Sequence, residues 1–359
     1  MTSIRVKPHL GAIERPRAGV DSRLQSLRLD KNERMGGYSR ELLDSVLKSI
    51  SAETLNVYPE PEPIYRRLAA EHNLPIESFL LTHGADGAIR TTFEICDWSR
   101  GNEVVCLDPT FAMVGVYCDI FNVQPVLIGY EFRGNALPAL DVEAMIRAIS
   151  PSTSLVILAN PNSPTGTLIE QPDLERVIAA AGEVGALVLI DETYYDFSGF
   201  TMASRVAAHD NLLIARSLSK GMGLAGLRIG YLIAAGSAAR AAFALKPMYE
   251  VNNVALQFAL ALMDRSEEIE SYAAAIKGSQ SSLSDYCRAR GIGFLPTGAN
   301  FCYIHTGART EAILQLCQER RILIRAGMGI RGYEQWLRVS LVPEEELKPF
   351  FDALEGAGD

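Results

Sequence analysis

The chain has 359 residues, 48% hydrophobic and 21% charged, which exceeds what a single core usually serves and predicts two lobes. A formal net charge of −9 argues against a nucleic-acid partner, which would require a basic face. No apolar run approaches the ~20 residues of a membrane span, and residues 1–19 lack the apolar stretch of a signal peptide.

From about residue 80 to 235, short Leu-rich or β-branched runs alternate with helical patterns. The runs are EVVCL (103–107), QPVLIGY (124–130), SLVILAN (154–160), ALVLIDE (186–192), NLLIARS (211–217) and LRIGYLIAA (227–235). Several are apolar on both faces, as strands buried in a parallel sheet must be. Between them, IEQPDLERVIAAAGEVG has helical spacing and ends in Gly185, a suitable C-cap. The expected fold is α/β, a mainly parallel sheet with crossover helices. After residue 250 a long helical pattern (265–291) leads to short strands in GIGFLP, NFCYIHT, RILIRAG and WLRVSLV, then to a polar helix, PEEELKPFFDALEG. That predicts a smaller α+β lobe. Cys96, Cys106, Cys118, Cys287, Cys302 and Cys317 show no CxxC or metal-type spacing. They read as buried, reduced thiols of a cytoplasmic protein, and no metal site is expected.

One stretch, SLSKGMGLAGLRIGY (217–231), contains G-x-G-x-x-G at Gly221, Gly223 and Gly226. A dinucleotide-binding loop needs a strand running into the first glycine, a helix after the last, and an acidic residue about 20 positions on. Here Ser-Leu-Ser-Lys (217–220) stands between the apolar run and Gly221, another strand pattern follows, and no Asp or Glu occurs between Gly226 and Glu250. The dinucleotide reading fails. What remains is Lys220, flanked by hydroxyls and a glycine-rich turn.

In α/β sheets, ligands lie at the carboxyl ends of the strands. SLVILAN runs into PNSPTG, ALVLI into Asp191-Glu192-Thr193-Tyr194, and NLLIAR into Ser217-Leu218-Ser219-Lys220. A lysine, an aspartate, an asparagine and a tyrosine thus converge at one rim, beside small hydroxyls and Arg228. A phosphorylated pyridine aldehyde uses all of them. The aldehyde takes a lysine amine, and the ring nitrogen stays protonated beside a carboxylate. The phenolate oxygen takes donors such as Asn or Tyr, and the phosphate takes hydroxyls, backbone N–H groups and an arginine.

The motifs NVYPEP, HGADGAI, DPTF, NPNSPTG, DETY, SLSKGMGLAGLRIGY, ANF and WLRVS occur in this order along the chain. In them the chain resembles, over nearly its full length, the fold-type I pyridoxal-phosphate (PLP)-dependent aminotransferases of class I/II, and within them the histidinol-phosphate aminotransferase group. The resemblance implies an N-terminal segment (1–50) that joins the small domain and covers the active site. It further implies a large PLP-binding domain (51–250) and a small C-terminal domain (251–359). It makes Lys220 the amine that forms the Schiff base and later shuttles the proton between the substrate α-carbon and the cofactor. Asp191 would pair with the pyridinium nitrogen and Tyr194 would donate to the phenolate. Ser217, Ser219, Arg228 and the backbone N–H groups of Ala85 and Asp86 would hold the phosphate, with Phe111 stacked on the ring. Tyr58 would reach the cofactor phosphate of a neighbouring subunit, which implies a homodimer. Arg338 would bind the substrate α-carboxylate, Arg325 an anionic far end of the substrate, and Asn32 would contribute to the substrate site.

The chain departs from that family's pattern in three places. Asn162-Ser163 stands where many relatives have Asn-Asn, so either Asn162 or Ser163 meets the phenolate. Ala85-Asp86-Gly87 replaces Ser-Asp-Glu but keeps the backbone donors. Lys31-Asn32-Glu33-Arg34-Met35-Gly36-Gly37 replaces the usual Asn-Glu-Asn-Pro cover, with the nearby aromatic displaced to Tyr38. These changes lie around the substrate, so an amino-acid donor is expected in preference to histidinol phosphate, with a 2-oxo acid such as 2-oxoglutarate as acceptor. A PLP-dependent lyase, decarboxylase or cyclase is the alternative. A cofactor-sensing binding module is disfavoured by the acidic charge.

Overall fold

A computed structural model describes residues 6–14, 23–132, 134 and 136–357. Its strands, in chain order, are β1 (Leu27–Arg28), β2 (Phe79–Thr82), β3 (Glu103–Asp108), β4 (Gln124–Glu131), β5 (Ala139–Leu140), β6 (Thr153–Ala159) and β7 (Leu187–Asp191). They continue with β8 (Leu212–Ser217), β9 (Gly230–Ile233), β10 (Phe294–Leu295), β11 (Phe301–His305), β12 (Ile322–Leu323), β13 (Arg325–Ala326) and β14 (Trp336–Ser340).

Eight strands form one sheet in the order β2-β9-β8-β7-β6-β3-β4-β5. The central pairs β8-β7, β7-β6, β6-β3 and β3-β4 are parallel, whereas β9 runs antiparallel to both β8 and β2. Alternation along the strands feeds two cores. Val105, Val156, Val188 and Ile214 pack on one face with Leu174, Val177 and Ile178 of the helix Gln171–Val184. Cys106, Leu155, Leu189 and Leu213 pack on the other with Ala88, Ile89 and Phe93 of the helix Gly84–Ile95. Both faces are covered, which is why these runs carry no polar alternation. The helix Gln171–Val184 ends at Gly185 in the left-handed conformation (φ 76°), the C-cap that its sequence predicts.

The later residues build a second, antiparallel sheet, β10-β11-β14-β13, behind the 24-residue helix Ser266–Ala289. Tyr272, Ile276 and Leu283 of that helix share a core with Cys302, Ile304, Leu337 and Phe350. The N-terminal segment joins this side of the molecule: β1 pairs in parallel with β12, Leu27 opposite Ile322. The six cysteines are free and buried, with no disulfide between them. Among the described residues, no helix is long and apolar enough to cross a membrane, and no cluster of His, Cys, Asp or Glu could hold a metal ion.

Candidate active site

A cavity of about 630 Å³ opens at the carboxyl ends of β6, β7 and β8, between the large sheet and the small one. Its wall brings together Asn32, Ala85, Asp86, Phe111, Asp191, Tyr194, Ser217, Ser219, Lys220, Arg228, Arg325 and Arg338.

At the floor, β7 ends in Asp191, which is 8% exposed. Its Oδ1 accepts from the Thr193 backbone N–H at 3.0 Å and the Thr193 hydroxyl at 2.6 Å, leaving Oδ2 without a donor among the described residues. Burial pushes this carboxyl up to about 6, against the pull of the Thr193 bonds and the Lys220 charge. Such a group gains from a cationic partner. The neighbouring Glu192 faces away from the cavity. It is fully buried and ion-paired to Arg216 at 2.8 Å, and it accepts from Met202 N–H at 2.6 Å, fixing the turn after β7.

Lys220 follows β8, and its Nζ donates to the Lys31 carbonyl at 2.8 Å, 5.7 Å from the centre of the Tyr194 ring. The Tyr194 hydroxyl accepts from Asn32 Nδ2 at 2.9 Å. Burial alone would raise this phenol, but the Lys220 and Arg338 charges, with bonds from Ser163 and Asn32, hold it below its ordinary value. Of the pair left open by the sequence, Ser163 lines the cavity and Asn162 does not. The Asn162 amide is consumed within the loop: Nδ2 donates to Pro109 O and Thr165 Oγ1, and Oδ1 accepts from Thr110 Oγ1.

One end of the cavity is suited to an anion. The helix Gly84–Ile95 begins at His83 with no side-chain cap, so the first-turn N–H groups at Ala85 and Asp86 are available. Ser217 Oγ accepts from Ser219 N–H, while the Ser219 hydroxyl is buried without a partner among the described residues. Arg228 sits in the left-handed region (φ 55°), and Gly84 (φ 70°) lets its guanidinium close in: a Cβ there would lie 3.1 Å from Nη2. An orphaned hydroxyl, uncapped N–H groups and an arginine form the donor set of a phosphate site.

The opposite end holds two arginines side by side, because Arg325 of β13 registers with Arg338 of β14. Arg338 is 5% exposed, donates to Asp30 O, and keeps Nε buried without a partner among the described residues. Burial lowers its pKa, a cost that an anionic ligand would relieve. Arg325 is exposed at the rim. Asp30 is spoken for by Arg23 through bonds of 2.7 and 3.0 Å.

Tyr58 does not reach this cavity. It is 72% exposed and stacks on Tyr249, ring centres 4.2 Å apart. The sequence named Thr193 and Lys31 only within motifs, without a role of their own, and did not single out Met328; all three are on the wall. Only Thr193 carried a signal, as a hydroxyl two residues beyond the strand-end aspartate.

A model of the family "aminotransferase class I and II" matches residues 26–354. The chain belongs to that family, and its cofactor is pyridoxal phosphate. It is 28% identical over 335 residues to histidinol-phosphate aminotransferase of Symbiobacterium thermophilum, covering 92% of this chain and 90% of that one. Histidinol-phosphate aminotransferase 2 of Thiobacillus denitrificans is 29% identical over 356 residues, covering 96% of each. The crystal structure of histidinol-phosphate aminotransferase from Sinorhizobium meliloti in complex with pyridoxal-5'-phosphate superposes with a TM-score of 0.83 at 21% identity. That superposition covers 99% of this chain and 98% of that chain. The aminotransferase is thus a fold-type I, α/β enzyme, as its sequence led one to expect. The lyase, decarboxylase or cyclase alternative is not favoured.

Proposed function

We propose that this aminotransferase moves an amino group from an α-amino acid to a 2-oxo acid, with Lys220 as the reacting amine and proton carrier. The observation that carries this reading is the placement of Lys220 in one cavity with a buried, proton-seeking Asp191 and a buried, underpartnered Arg338. Pyridoxal phosphate, when bound, supplies an aldehyde for an amine and a ring that takes up the electron pair left at the substrate α-carbon. Asp191 holds the proton on the ring nitrogen. Tyr194, Asn32 and Ser163 form a polar set for the ring hydroxyl. Ser217, Ser219, Arg228 and the N–H groups of Ala85 and Asp86 bind the phosphate, and Phe111 covers the ring. Arg338 grips the α-carboxylate with two hydrogen bonds, and Arg325 meets an anionic far end. Lys220 Nζ then moves a proton from the α-carbon.

A second substrate reading, histidinol phosphate, is favoured by what the relatives named above are called. We also propose a homodimer in the cytoplasm. Leu55, Val57, Tyr58, Met248 and Tyr249 are exposed apolar side chains on the two segments joined by the Tyr58–Tyr249 stack, which suits a second copy. The six buried free thiols suit a reducing compartment.

Two measurements test the reading. Borohydride reduction followed by peptide mapping should fix the cofactor to Lys220, and a label on another lysine would sink the assignment. A panel of amino donors with 2-oxoglutarate, assayed for glutamate, should show amino acids turned over more efficiently than histidinol phosphate. The reverse order would establish the second substrate reading.

A further inference from the structure

Residues 31–38 cross over the turn that carries Lys220; Lys31, Asn32 and Glu33 line the cavity, and Arg34 and Tyr38, beyond its wall, hold the turn. Arg34 Nη1 donates to the Gly221 carbonyl at 2.8 Å, and the Tyr38 hydroxyl donates to the Met222 carbonyl at 2.5 Å. Lys31 O, in the same segment, receives Lys220 Nζ. Three successive residues of the turn, 220 to 222, are therefore held by one strap.

The strap itself is anchored on the small-lobe side. Asn32, in the left-handed region (φ 56°), takes its backbone N–H to Ser340 Oγ at 2.9 Å, its Oδ1 accepts from the same hydroxyl at 2.8 Å, and its carbonyl accepts from Asn300. The Arg34 guanidinium lies 4.1 Å from the ring centre of Tyr272, on the helix Ser266–Ala289, and 4.6 Å from that of Tyr38. Its Nε is buried without a partner among the described residues. Half-burying a guanidinium with an unmet donor is costly, and two aromatic faces with one carbonyl are what offset it here. The fit is close. A Cβ on Gly223 (φ 74°) would lie 2.5 Å from Arg34 Cδ and 2.8 Å from the Tyr38 hydroxyl.

We propose that Arg34, seconded by Tyr38, is a positioning residue that latches the Lys220 turn to the small lobe and so sets where Nζ stands. The inference rests on Lys220 being the reacting amine. Without the latch, the turn keeps Gly223 N–H to Lys220 O at 3.1 Å, Leu224 N–H to Leu218 O at 2.8 Å and Gly221 N–H to the Asp196 carboxylate, but the Gly221 and Met222 carbonyls lose their tie to the strap. Nζ would then sample positions out of line with the α-carbon, and proton transfer would slow while substrate binding, made by other residues, held.

The test compares wild type, Arg34→Met, Arg34→Lys and Tyr38→Phe as purified. Amide hydrogen exchange is followed in peptides spanning 218–224 and, as a control, 171–184. Single-turnover reaction with L-glutamate, plain and deuterated at the α-carbon, is followed alongside. For Arg34→Met the expected result is about tenfold faster exchange confined to 218–224 and about tenfold lower kcat with KM near wild type. The α-deuterium isotope effect should grow. Arg34→Lys, which can still donate to Gly221 O, should recover part of the rate, and Tyr38→Phe should lose about threefold, the share of one hydrogen bond. If Arg34→Met does not fold, these two milder variants carry the comparison. Unchanged exchange in 218–224 would overturn the proposal. So would faster exchange spread equally to 171–184, or faster exchange with unchanged kcat and isotope effect. Failure of borohydride to label Lys220 in the wild type would remove the catalytic reading instead, and the exchange data would still report the latch.

Discussion

The cavity has two walls made by different means. The floor, Asp191 with Ser217 to Lys220, is set at the ends of adjacent parallel strands, where Asp191 of β7 registers with Ala215 of β8. Ladder hydrogen bonds fix it, and short side chains need only point outward. The far wall, Asn32 with Arg325 and Arg338, joins parts of the chain some three hundred residues apart through side-chain bonds such as Asn32 to Ser340. Two physical regimes follow. On the proposed function, the ladder-held floor serves the chemistry common to any amine, and the far wall, built from separate side-chain bonds, serves the choice of substrate.

Lys220→Ala puts the largest strain on that division. On the proposed function it removes both the reacting amine and the proton carrier, so turnover should fall by several orders of magnitude while pyridoxal phosphate still binds, read by absorbance after gel filtration. Asp191→Asn keeps the size but removes the charge proposed to hold the ring nitrogen protonated, and kcat should fall by a factor on the order of 10² or more. Wild-type rates would remove Asp191 from the chemistry. On the far wall, Arg338→Ala should cost roughly 2–4 kcal/mol in kcat/KM for every amino acid. Arg325→Ala should matter only for substrates with an anionic far end. Equal losses for neutral and acidic donors would show that the two arginines act as one.

A further effect, of similar size to the arginine losses, is on stability rather than rate. Burial raises the Asp191 carboxyl from 3.8 to about 6, so the folded, cofactor-free protein keeps a proton that the unfolded chain releases. Its contribution is fully present below the unfolded value and is lost as pH rises from about 4 to about 6, to a limit of order 3 kcal/mol. Asp196 shifts the same way, so the measurement is a difference. Denaturant titrations of cofactor-free wild type should lose more stability over that window than Asp191→Asn. Parallel curves would place the Asp191 proton elsewhere.

The floor was legible in the sequence because it is local. Apolar runs that end in Asp191-Glu192-Thr193-Tyr194 and Ser217-Leu218-Ser219-Lys220 declare both the strand and the end that faces the cavity. The glycine pattern beside Lys220 is explained by the fold. Gly221 makes room for Asp196, whose Oδ2 would lie 2.3 Å from a Cβ, and Gly223 makes room for Arg34, whereas a Cβ on Gly226 would meet nothing. Two of the three glycines are there for packing a turn. The strands Phe79–Thr82 and Ala139–Leu140 escaped the reading because four and two residues are too few to show a period. Asn162 and Ser163 could not be told apart for another reason. Adjacent residues in a loop point in directions that only the loop's hydrogen bonds decide, and here Pro109, Thr110 and Thr165 turn Asn162 inward.

The pairing of β2 with β9 has a consequence for how the enzyme comes into being. Phe79 lies opposite Ile233 and Thr82 opposite Gly230, so partners roughly 150 residues apart must meet before the sheet is complete. Gly84 then packs against Gly230, whose Cβ would lie 2.7 Å from the Gly84 carbonyl carbon, and this contact seats the start of the helix Gly84–Ile95 beside Arg228. The anion cradle is therefore not a property of any segment. Within the large sheet the aspartate and lysine stand on ladders close in sequence, whereas the phosphate grip depends on the pairing with the longest separation, so a refolding chain should gain that grip only when β2 meets β9. Cofactor capture should accordingly follow the slowest step of folding rather than guide the first.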